Sequence, residues 1–119
     1  SLEKVLKVRA IRENKAQNRF LQAKKEERKI ENKLENVSEN QKELYNFVRK
    51  NNLSLEESIQ ARNYLYSNRE KINQIKEKLY SQQEKVEEKQ KEMIARRKKR
   101  QVMEELKDRE YNRFYKDLL

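Results

Sequence analysis

Apolar residues recur along this chain in alternating steps of three and four. One run reads Ala16, Phe20, Ala23, Glu27, Ile30, Leu34, Val37, Gln41, Leu44, Val48. A second reads Ala61, Leu65, Asn68, Ile72, Ile75, Leu79, Gln82, Val86, Lys89, Met93. A mean step of about 3.5 residues marks helices that bury a narrow seam against a partner helix. Between the runs lies Asn51-Asn52-Leu53-Ser54. Asn accepts the left-handed conformation that ends a helix when no Gly is at hand. Ser54 followed by Glu57 is a capping box, a start signal for a new helix, although Ser58 leaves its hydrophobic staple unmade. The pattern predicts a helix over 2–50, a turn over 51–54 and a second helix over 55–119. At 1.5 Å per residue these are rods of about 73 and about 97 Å.

A connection this short makes the helices antiparallel neighbours, so the expected fold is all-α, a single antiparallel coiled-coil hairpin over 1–119. Facing residues then have numbers adding to a constant. A total of 109 sets Ile30 on Leu79, Leu34 on Ile75, Val37 on Ile72 and Leu44 on Leu65. It also gathers the polar seam residues, Glu27 with Gln82 and Gln41 with Asn68. Slipping by one heptad would set Glu27 against Ile75 and Leu34 against Asn68, at about 1–3 kcal/mol for each polar group left unpaired. Carried outward, the register puts Leu6 on Met103 and Glu13 beside Arg96. Its weak layers are Phe20 on Lys89, where the lysine stem can snorkel, and Arg9 on Arg100. Residue 2 then faces residue 107, and the second helix runs on by about a dozen residues, about 18 Å. On that overhang Tyr111, Phe114, Tyr115 and Leu118 form one face. It is expected to meet a partner surface, unless it frays or residues outside this chain cover it; the start at Ser1 rather than Met suits a processed or excised piece.

Composition removes most chemistry. The 119 residues hold no Gly, Pro, Cys or His, with 44% charged and 34% hydrophobic. Thiol and imidazole chemistry, zinc sites, disulfides and Gly-rich phosphate loops are therefore absent. The lack of Cys fits the cytoplasm. No apolar run approaches the roughly 20 residues that span a bilayer, and no signal-peptide core is present. Carboxylates abound, but a two-helix rod offers no cleft to desolvate a pair of them. Neither enzyme activity nor a cofactor is expected.

The net charge of +10 is unevenly placed: residues 1–25 carry +6, residues 94–119 carry +4, and residues 26–93 sum to zero. In a hairpin the two basic segments lie side by side. Their densest piece, Arg96-Arg97-Lys98-Lys99-Arg100, reads as a solvated face, a nuclear-localisation or nucleic-acid patch, or a docking element for an acidic protein surface or pore. No aromatics interleave the run, which weakens the nucleic-acid reading. A second aromatic group, Tyr45, Phe47, Tyr64 and Tyr66, lies near the turn. Tyr45 and Tyr64 fall at one level of the seam and are either ordinary flanking packing or protein-docking anchors.

Three segments, LEKVLKVRAIRENKAQNRF, YLYSNREKINQIKEKL and RRKKRQVMEELKDREYNRFYKD, together resemble the FliJ family, the small coiled-coil component of the bacterial flagellar type III export apparatus. The last is the most specific, a basic run, then Leu, then Lys-x-Arg-x-x-Tyr. The resemblance implies a hairpin similar to the central stalk of rotary ATPases. Such a rod would bind and help assemble a hexameric export ATPase, link it to the export gate protein FlhA, and escort export chaperones. It implies a cytoplasmic location, at the inner face of the membrane through partners only. Carried over residue by residue, Arg96, Arg97, Arg100, Lys107, Arg109, Tyr111 and Phe114 are the ATPase-side candidates. Tyr45 and Tyr64 are the gate or chaperone candidates, whereas Ser38, Asn68 and Lys71 depart from the apolar pattern there. The stalk of a virulence-type secretion system, a nucleic-acid-binding coiled coil and a self-associating coiled coil are the rival readings.

Overall fold

A computed structural model describes all of residues 1–119 and contains two helices and no strand. Helix α1 spans Leu2–Lys50 and α2 spans Leu55–Leu118, so the predicted boundaries hold to within one residue. The two form an antiparallel hairpin. Ser1 starts α1, its Oγ accepting from the Lys4 amide at 3.4 Å and its carbonyl from the Val5 amide at 3.3 Å. At the other end no residue takes a positive φ, contrary to the left-handed turn expected of Asn51. Asn51 ends α1 through its side chain instead: Nδ2 donates to the Phe47 carbonyl at 2.9 Å, and its own amide donates to the same oxygen at 3.2 Å. One carbonyl thus receives both bonds, and a left-handed residue is not needed. The capping box forms as predicted, the Glu57 amide donating to Ser54 Oγ at 3.1 Å and the Ser54 amide to Glu57 Oε1 at 3.4 Å.

The chain divides into a terminal unit, Ser1–Lys24 with Lys85–Leu119, and a turn unit, Lys25–Glu84. Every predicted seam position in both is buried or half-buried. We label the seam with heptad letters, a for Leu6, Glu13 and each seventh residue to Val48, and d for Leu2, Arg9 and each seventh residue to Leu44. In α2, a runs from Ser58 to Arg100 and d from Ala61 to Met103. The seam is thin. Only Ala16, Ile75, Val86 and Met93, with the polar Asn68, are 9% exposed or less. Two helices can shield one line of side chains and no more, so stability comes from many partly covered layers.

In the turn unit the polar layer is closed. Asn68 Nδ2 donates to Gln41 Oε1 at 3.0 Å and to the Val37 carbonyl at 3.5 Å, and Gln41 Nε2 donates to the Leu65 carbonyl at 3.2 Å. The Gln41–Asn68 bond fixes the expected register there. No buried side-chain nitrogen or oxygen lacks a partner.

In the terminal unit the register brings Glu13 to Arg97 and Arg100 rather than to Arg96. Arg100 Nε donates to Glu13 Oε2, its Nη2 reaches Glu13 Oε1 at 3.5 Å, and Arg97 Nε lies 3.6 Å from that oxygen. The cause is the lean of helical side chains toward their own N-terminus. In an antiparallel pair, Glu13 leans toward the C-terminal part of α2 while Arg100 leans back toward it. They converge although their backbones are a turn apart. Arg100 also donates to Glu104 Oε1 at 2.7 Å, so the expected Arg9–Arg100 layer has its second cation neutralised. Lys89, facing Phe20, is half-buried and extends its ammonium to Glu92 at 3.8 Å, the snorkelling expected of it.

Candidate functional site

Interaction surfaces, rather than a cleft, are what these two units offer. From Glu104 onward every residue is exposed, so the seam stops at Met103 while α2 continues to Leu118. The heptad pattern would next call on Lys107 and Glu110, which no hydrophobic layer could use. Tyr111, Phe114, Tyr115 and Leu118 are each at least 55% exposed. The Tyr111 and Tyr115 rings lie 6.1 Å apart at 28°, one turn apart on the same face, as predicted. An aromatic stripe of this kind is a ready anchor for a protein surface.

The cationic candidates beside it differ in their partners. Arg97 and Arg100 are held by Glu13, with Glu104 sharing Arg100. Lys107 reaches Glu3 at 3.8 Å. Arg96 is half-buried at its seam position. Arg109 alone of the basic candidates is exposed and unpaired. The hydrogen bonds that Arg100 donates to Glu13 and then to Glu104 hold the proton of its guanidinium more firmly than usual, and desolvation acts in the opposite direction. Sequence reading missed this sharing, because spacing alone does not show which cations a single glutamate will claim. The signal available was Glu13 itself, a lone acid on the seam among basic neighbours.

In the turn unit Tyr45 and Tyr64 do not form one patch. Tyr45 follows a d position and Tyr64 precedes an a position, and in an antiparallel pair those flanks lie on opposite sides of the seam. Tyr45 instead carries the Arg49 guanidinium 6.0 Å from its ring centre. Tyr64 joins Phe47 across a shallow groove of about 840 Å³ with Leu44, Leu53 and Ala61 as its floor and Glu43 and Glu57 on its rim. Heptad phase, applied to the flanks as well as the seam, was the signal that separates the two tyrosines.

No helix is long and apolar enough to cross a membrane. A family model described as the flagellar FliJ protein matches residues 1–119. No curated protein and no solved structure gives a match.

Proposed function

The chain belongs to the flagellar FliJ family, which makes it a component of flagellar type III export, and from that premise we propose that it is a non-enzymatic stalk and adaptor for the hexameric export ATPase. The stripe Tyr111, Phe114, Tyr115 and Leu118 carries this reading. It is a regular helical face, largely exposed, beyond the last seam layer of a strongly basic unit. In this role the stripe engages the ATPase, and nearby charge, Arg109 included, speeds the encounter. Arg96, Arg97, Arg100 and Lys107 contribute charge to the same end, although Arg97, Arg100 and Lys107 also hold α1 and α2 together. The turn unit contacts the export gate protein FlhA and the export chaperones, with Phe47 and Tyr64 on one flank and Tyr45 on the other. The chain reaches the inner face of the membrane in this reading through those partners.

The test is the hydrolysis rate of the cognate export ATPase with and without this chain at physiological salt. Stimulation that disappears in the Tyr111→Ala/Phe114→Ala double variant is the expected result. A folded chain that leaves the rate unchanged would remove the stalk reading.

A further inference from the structure

The two flanks of the terminal unit differ in a way that export alone does not explain. The Arg19–Glu92 ion pair, 3.0 Å across, marks how one flank closes: both residues immediately precede an a position. One heptad toward the termini, the same relation sets Arg12 opposite Lys99. One heptad further, it sets Val5 opposite Leu106. Arg12 and Lys99 are exposed cations facing each other with no carboxylate on either. Like charges so placed call for an anion supplied from outside.

The outer row of this flank continues the theme. Val8 and Val102 extend Val5 and Leu106 into a patch of four aliphatic side chains, each 38–55% exposed. Lys15 stands beyond the patch on one side and Arg109 on the other, both exposed and unpaired. Over residues 5–15 and 95–109 this flank contains no Asp or Glu at all. Across the seam, the opposite flank carries Glu3, Glu104 and Asp108, and its ion pairs include Lys107–Glu3. One flank is polar and internally neutralised; the other is aliphatic, cationic and unmatched.

We propose that this flank is a contact surface for an anionic lipid bilayer. Protein interfaces favour aromatic residues, Met and Arg and are depleted in Lys. Here the centre is aliphatic, the cations are lysine and arginine side chains on flexible stems, and no Asn, Gln, Ser, Thr or Tyr lies on the flank within those residues. That chemistry suits a fluid surface, with aliphatics at the acyl boundary and cations at headgroup depth. The Tyr111 stripe lies on a different face of α2, so this proposal does not rest on the ATPase reading.

The test is co-sedimentation of the full chain with phosphatidylcholine vesicles, with and without phosphatidylglycerol. The chain pellets with the anionic vesicles only, and added salt releases it. Lys15→Gln with Lys99→Gln weakens binding by about five-fold per cation removed. Val8→Ser with Val102→Ser also weakens it and leaves the salt dependence unchanged. Lys76→Gln with Lys78→Gln, which removes the same charge from the turn unit, has no effect. Absence of anionic-vesicle binding overturns the proposal, as does equal weakening by the Lys76/Lys78 pair, which would reduce the effect to net charge. Binding to soluble polyglutamate with no binding to vesicles would likewise overturn it and assign the flank to an acidic protein. Circular dichroism of each variant confirms that these exposed substitutions leave the helices intact.

Discussion

The turn unit and the terminal unit share one heptad frame and fill it with different chemistry. In the turn unit the frame carries Ile30, Leu34, Val37 and Leu44 against Leu65, Ile72, Ile75 and Leu79, and the net charge is +1. Its central polar layer is Gln41–Asn68, neutral and closed on itself. In the terminal unit the net charge is +9, and the frame admits Arg9, Glu13, Lys89, Arg96 and Arg100. There the helices meet through Glu13 shared between two arginines and through Arg19–Glu92. Salt does not screen apolar contact, whereas it screens ion pairs at the surface. The same geometry therefore yields a turn unit held by apolar and neutral polar layers, and a terminal unit that buries Ala16, Val86 and Met93, adds ion pairs to that burial, and keeps cations to spare for partners.

The sharpest break of this contrast is in the turn unit. Ile75 is 5% exposed, and Ile75→Ala should cost about 3 kcal/mol in urea denaturation monitored by circular dichroism. Next comes Asn68→Ala, which leaves Gln41 Oε1 without its donor and should cost about 1–2 kcal/mol in the same assay. Replacing both Gln41 and Asn68 with Leu should raise the melting temperature yet loosen the register, as judged by cross-links between cysteines placed along the two helices. Smaller still is Glu13→Gln. Its loss should be clear at low salt and shrink near 1 M, where the screening length falls to about 3 Å; an equal loss at both salts would mean that Glu13 acts by packing. Smallest is Tyr111→Ala with Phe114→Ala, expected to change stability by less than about 0.5 kcal/mol. A large drop in melting temperature there would show the stripe to be covered within the fold.

Most of the fold was legible because a 3.5-residue period admits few interpretations, and Ser54 with Glu57 fixed where α2 begins. The register was legible for a related reason: only one alignment brings Gln41 to Asn68 while keeping Leu34 on Ile75. What spacing did not carry was direction. It placed Glu13 level with Arg96, but the lean of both side chains sends Glu13 to Arg97 and Arg100. It placed Tyr45 level with Tyr64 without saying that level residues can sit on opposite flanks. At Asn51 the residue type was read correctly as a helix stop, while its means, a side-chain amide returning to Phe47, competes with the left-handed route on nearly equal local terms.

The Gln41–Asn68 layer also has a mechanical meaning. Because each side chain bonds both its counterpart and the backbone of the opposite helix, sliding α1 along α2 in the turn unit must break all three bonds before any new layer can form. An aliphatic seam resists being pulled apart but yields to shear, since one leucine slips past another with little directional cost. The amide layer behaves as a key in a shaft. Within this unit, a pull applied to one helix is borne by both.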